Sequence, residues 1–227
     1  MGNIRPDVEK RMLRTLSQKV NPSHAALLVI DVQNDFCAKG GLLDRQGFDL
    51  TLIKEMVPRL KDFIAAARNH GTTVFFIKNV YNGPNDWYLS DVFLEQMTRR
   101  MGTAYTGYRV CEPNSWGGSF YGGVEPLEGE AVIVKHRFSA FQSTDLNLIL
   151  RSRGIRTLIV TGVVTNVCVE STARDGFFND YYIVLVGDCC ASPAQEDHRQ
   201  TLKNIDRFFG QVVSANEVMN CWGSDKI

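Results

Sequence analysis

The chain has 227 residues, 44% of them hydrophobic, and balances 25 Lys and Arg against 25 Asp and Glu. Such a length fits one large domain or two small ones, and a formal charge of zero argues against a basic nucleic-acid face or an acidic tail. The apolar runs are too short for a membrane span, and the charged stretch Met1–Asn21 lacks the apolar core of a secretory signal.

In chain order, Ala25–Ile30 predicts the first strand, and Asp31 follows it. Leu52–Arg68 predicts a helix, with Ile53, Met56, Val57, Leu60, Ile64 and Ala67 on one stripe and Asn69-His70-Gly71 as its stop. Val74–Ile77 is a second strand. From Tyr81 to Gly129 the rhythm breaks into Gly, Pro, Trp and Tyr, with only Val92–Arg100 helical. An irregular insertion of this length inside a regular domain is expected to form a pocket wall or lid, so residues 1–227 are read as one domain.

Ala131–Val134 predicts a third strand, with Lys135 at its exit. A helix over Asp145–Arg153 follows, with Thr144 as its cap and Gly154 as its stop. The fourth strand, Leu158–Val160, runs through Gly162 to Cys168, where a helix over Val167–Asn179 begins. Ile183–Val186 is a fifth strand, and Pro193–Phe208 a helix capped by Ser192. The strand segments are as apolar as strands buried on both faces, and their alternation with helices predicts a doubly wound α/β fold with a parallel sheet.

In such sheets ligands bind beyond the carboxyl ends of the strands. Three predicted exits carry Asp31, Lys135 and Cys168. The trio is chemically coherent. A helix start and a nearby cation favour a thiolate, Asp31 can accept and return a proton, and Lys135 can hold Asp31 ionised. Backbone N–H groups at Val164 and Cys168 can hold an oxyanion. This is the equipment of acyl transfer through a thioester.

Competing motifs are absent: Gly117-Gly118-Ser119 continues into Phe120-Tyr121 rather than a nucleophile elbow, and no glycine-rich phosphate loop is found. His24, His70, His136 and His198 lack metal-ligand spacing, and His136 is expected to be a satisfied or solvent-facing side chain. The six cysteines contain no C-x-x-C and predict free thiols in a reducing cytoplasm, with Cys189 and Cys190 structural.

Val29-Ile30-Asp31-Val32-Gln33-Asn34-Asp35-Phe36, Lys135, and Gly162-Val163-Val164-Thr165-Asn166-Val167-Cys168-Val169 together resemble the isochorismatase-like cysteine hydrolases, over about Pro22 to Met219. The resemblance implies a six-stranded parallel sheet in a Rossmann-like three-layer sandwich and an Asp31–Lys135–Cys168 triad. It also implies a cis peptide between Val163 and Val164, and homodimers or homotetramers. Ile149–Arg156 and Thr165–Phe178 look most like ureidoacrylate amidohydrolases of pyrimidine breakdown, with biuret and N-carbamoyl-amine hydrolases similar in plan. A catalytically silent binding member of the fold is the alternative of another class.

That likeness implies a small amide or ureide substrate, no cofactor and no catalytic metal, because the Asp and His ligands of nicotinamidases have no counterpart after Phe76–Tyr81. Isochorismatases proper generally carry Gly where this chain has Cys168. The resemblance makes Phe36, Asn79, Tyr81 and Phe138 substrate contacts, with Phe141 and Gln142 added from the same loop. The sequence departs from the family between Asn82 and Gly123, and in Lys135-His136-Arg137, where Pro is common at the middle position. A carboxylate-bearing substrate would need an anchor such as Arg137, Arg99, Arg100 or Arg109.

Overall fold

The computed structural model describes residues 5–102 and 107–224. Six strands form one parallel sheet: β1 (Ala25–Ile30), β2 (Thr73–Asn79), β3 (Ala131–Lys135), β4 (Thr157–Val163), β5 (Tyr182–Ala191) and β6 (Gln211–Val213), in the order β3-β2-β1-β4-β5-β6. The first five coincide with the apolar runs of the sequence. The sixth is only three residues long, too short to leave a periodic signal.

Every residue of β1 and β4 is buried, as central strands require. The expectation of two buried faces fails at β3, where Val132 and Val134 are exposed. β3 is an edge strand, and its outer face lacks a covering helix. β5 runs on through Gly187 to Ala191, so Cys189 and Cys190 lie within the strand rather than beyond its exit. Both thiols are buried.

Helices α1 (Thr51–Asn69), α2 (Asp91–Met101), α3 (Leu146–Ser152), α4 (Glu170–Phe178), α5 (Gln195–Phe208) and α6 (Ala215–Ser224) complete the layers. α1 buries its predicted stripe, and Phe63 with it. Phe63 stacks on Trp222 of α6 at 5.4 Å, and the Trp222 indole donates to the Val20 carbonyl at 2.8 Å. This apolar cluster fills one face of the sheet. Leu146 and Leu150 of α3, Ala173 of α4 and Ile205 of α5 fill the other. The result is a three-layer α/β fold, and no helix among the described residues is long and apolar enough to cross a membrane.

Two helix starts differ from the sequence reading. The Cys168 segment opens as a π-helical turn, Thr165–Val169, before α4. α5 starts at Gln195 rather than Pro193, and Ser192 does not cap it; its hydroxyl donates instead to Asn166 Oδ1 at 2.9 Å. Thr144 does accept from Leu146 N at 3.2 Å at the start of α3.

The insertion after β2 is fixed at both ends. The Asn82 N–H donates to the Val110 carbonyl at 3.2 Å and the Val110 N–H to Asn82 Oδ1 at 2.8 Å. On either side of Val110, the fully buried Asp35 accepts from Tyr108 Oη at 2.8 Å and from the Cys111 N–H at 2.7 Å. Gly117 lies against the same carboxylate, leaving no room there for a Cβ. A bridge between Gln33 and Phe120 continues the seam. The second half of the insertion is thereby laid along the turn that follows β1.

Candidate active site

Register alone brings the strand exits level. Ile30 faces Ile77 on one side and Gly162 on the other, and Asn79 faces Lys135. Asp31 leaves β1 with φ 53°, a left-handed conformation that Asp tolerates better than most residues. Lys135 ends the edge strand, with β2 between it and β1. Its Nζ nevertheless stands 2.7 Å from Asp31 Oδ2, both side chains being closed to water. Lys135 Nζ also donates to the Arg137 carbonyl at 3.0 Å.

Cys168 completes the group. Burial pushes its thiol up to about 12, a rise that the Lys135 cation opposes and the Asp31 carboxylate reinforces. Loss of hydration thus acts against the lowering expected from the cation and the helix start. Burial also lifts the Asp31 carboxyl above its usual range, against the pull of Lys135, Cys168 and Asn79. Burial works to lower Lys135, but the charges of Asp31 and Cys168 prevail and hold its ammonium above the ordinary value. The thiol thus stands beside a carboxylate able to take a proton and an ammonium held charged.

Asp31 and Cys168 open into a cavity of about 100 Å³. Phe36, Tyr81 and Phe138 line it as expected, together with Val163 and Val164, whose connecting peptide is cis. Asn79 does not line the cavity. It is fully buried, with its amide toward Asp31, and Gln33 grips its backbone: Asn79 N–H donates to Gln33 Oε1 at 2.7 Å and Gln33 Nε2 to Asn79 O at 3.0 Å.

The structure moves two expected contacts away. Ala140 N–H donates to Thr172 Oγ1 at 3.0 Å, turning the chain toward α4. Phe141 then packs near Tyr181, ring centres 6.0 Å apart, against the core of the opposite face. Gln142 is exposed, and its side-chain amide donates to Ser143 Oγ at 3.3 Å. Neither touches the cavity, so both are removed from the substrate contacts.

Other lining residues escaped the sequence reading, among them Leu43, Phe48, Met97, Pro193 and Ala194. Asn166 and Asp197 line it too, and belong to a set of bonds tying the Cys168 turn to α5. Thr165 Oγ1 lies 2.9 Å from His198 Nδ1, Asn166 Nδ2 donates to Asp197 Oδ2 at 3.1 Å, and Thr201 Oγ1 donates to Glu170 Oε2 at 2.6 Å. Burial and Arg199 lower the His198 pKa, favouring the neutral ring. His136 is a satisfied side chain: it meets Val80 O at 2.7 Å and stacks on Tyr88 at 3.6 Å. No group of three or more His, Cys, Asp or Glu among the described residues is placed to hold a metal ion.

The isochorismatase domain matches residues 25–217. A ureidoacrylate amidohydrolase RutB of Methylobacterium radiotolerans is 36% identical over 85% of this chain and 77% of its own length. That of Yersinia enterocolitica is 35% identical over 88% and 89%. Among solved structures, nicotinamidase PncA of Bacillus subtilis is 26% identical, with TM-score 0.68 over 84% of this chain and 99% of its own. A cysteine hydrolase of Pseudomonas syringae pv. phaseolicola shares the fold, with TM-score 0.78 at 24% identity over 91% and 95%.

Proposed function

Since the chain belongs to the isochorismatase family and is a hydrolase of amide C–N bonds, we propose that it cleaves a small linear ureide or carbamoyl amide through a Cys168 thioester. A ureidoacrylate-like acid is the favoured substrate, a reading supported by the named activity of its relatives. The single observation that carries the mechanism is the buried Asp31–Lys135 pair, 2.7 Å apart, with Asp31 and Cys168 lining the same apolar cavity.

In this mechanism substrate displaces water and Asp31 takes the thiol proton as sulfur attacks the carbonyl carbon. The N–H groups of Val164 and Cys168 stabilise the oxyanion. Asp31 then passes its proton to the departing nitrogen, and the C–N bond breaks. Water, deprotonated by the same carboxylate, cleaves the thioester and restores the thiol. Lys135 stays charged throughout, so Asp31 can gain and lose a proton without leaving an isolated buried charge. Phe36, Tyr81 and Phe138 shape the walls.

The test is Cys168→Ala, with ammonia release as the readout. It should lower turnover by at least about 10³-fold while circular dichroism stays that of the parent. Turnover retained in a folded variant would rule out the thioester.

A further inference from the structure

Four arginines near the site are candidates for a cationic anchor, and the structure separates them. Arg99 pairs with Glu95 at 3.6 Å. Arg109 is held by Glu112 at 2.7 Å and by Asp86 at 3.2 Å. Arg137 donates to the carbonyls of Tyr88 and His136, at 2.8 and 2.7 Å, and lies over the Phe93 ring. Arg100 alone of the four lines the cavity, and it has no hydrogen bond or ion pair among the described residues. It stands in the last turn of α2, three residues after Met97, which is buried and lines the same cavity. Residues three apart share a helix face, so the contact that seats Met97 also holds Arg100 at the mouth.

Two other charged residues line the cavity, and both are carboxylates. Asp31 is paired with Lys135, and Asp197, held by the neutral Asn166 amide, keeps its negative charge. A cation with no ion pair among the described residues, lining an apolar cavity that Cys168 also lines, suits a ligand with one anionic end. We propose that Arg100 is the specificity-determining residue, binding a carboxylate at the end of the substrate remote from the scissile carbonyl. A guanidinium can hold a carboxylate through two parallel hydrogen bonds. Asp197 repels the same group and so orients the substrate. This inference rests on the amidohydrolase reading above. It adds that acid selectivity resides in the insertion, where the chain departs from its family's pattern.

The test is a matched set of ureides: 3-ureidopropanoate, its uncharged methyl ester, and N-(3-aminopropyl)urea with a terminal ammonium. The wild-type protein should prefer the acid. Arg100→Gln should raise KM for the acid about 10- to 100-fold and leave the ester unchanged, with Arg100→Lys recovering part of the loss. Arg99→Gln, on the same helix, should alter neither. An acid-to-ester ratio that survives Arg100→Gln would overturn the assignment, and preference for the ammonium compound would move the anchor to Asp197. Equal turnover of all three by the wild type removes Arg100 alone, whereas no turnover of any ureide removes the ureide reading as well.

Discussion

Gly162 lies so close to Ile30, its register partner across β4 and β1, that a Cβ on Gly162 would overlap the Ile30 carbonyl oxygen. Its φ of +112° is also one that L side chains rarely adopt. The contact sets the separation between the strand that delivers Asp31 and the strand that delivers the Cys168 turn. Gly162→Ala is therefore expected to cost about 2–4 kcal/mol, measured by urea unfolding. Turnover should fall in the folded fraction too, because the two strand exits must move apart. A variant with parental stability would show that the contact relaxes freely.

The Lys135–Asp31 pair predicts an asymmetry. Lys135→Met leaves a buried carboxyl without its cation and should cost about 3–5 kcal/mol. The double variant Lys135→Met, Asp31→Asn removes both charges and should regain much of that stability. Activity should be lost in both. Unfolding curves and ammonia release on the two variants check this together, and equal stability losses in single and double variants would contradict it.

The buried thiols predict a response to alkali. Burial raises Cys37, Cys111, Cys168, Cys189 and Cys190 above the ordinary value of 9.0. In the unfolded chain these thiols ionise near that value, while the folded protein keeps their protons. Their contribution to stability is complete below the unfolded pKa and is lost as pH rises toward the folded one. Each thiol adds a slope of up to about 1.4 kcal/mol per pH unit. Urea unfolding followed from neutral pH into the alkaline range should show this decline, and Cys190→Val should make it shallower. A flat profile would mean that these thiols are hydrated in the native state.

Much of the site was legible because its chemistry sits at predicted strand ends. A carboxylate, an ammonium and a thiol each follow an apolar run, and parallel register brings them level. Phe141 and Gln142 were misplaced because a single hydrogen bond, from the Ala140 N–H to Thr172, turns the segment toward the other face. The bonds from Thr165, Asn166 and Glu170 to α5 left no sequence signal, since polar pairs about 30 residues apart have no periodicity. The direction in which the surroundings move the Cys168 pKa was not legible, for a related reason. Charge and helix position can be read locally, whereas depth of burial is a property of the whole fold. Arg100 was visible as one arginine among four, and only its neighbours distinguish it.

The paired bonds between Asn82 and Val110 bring the two ends of the intervening segment together. Lengthening a loop whose ends already meet costs little: each doubling adds only about 0.6 kcal/mol of closure entropy. That segment can therefore diverge in length and composition while the Asp31, Lys135 and Cys168 exits stay in register. With the reacting groups on the strand exits and the proposed Arg100 anchor in this segment, a transplant of residues 83–109 between relatives is the natural unit for exchanging selectivity without touching the chemistry.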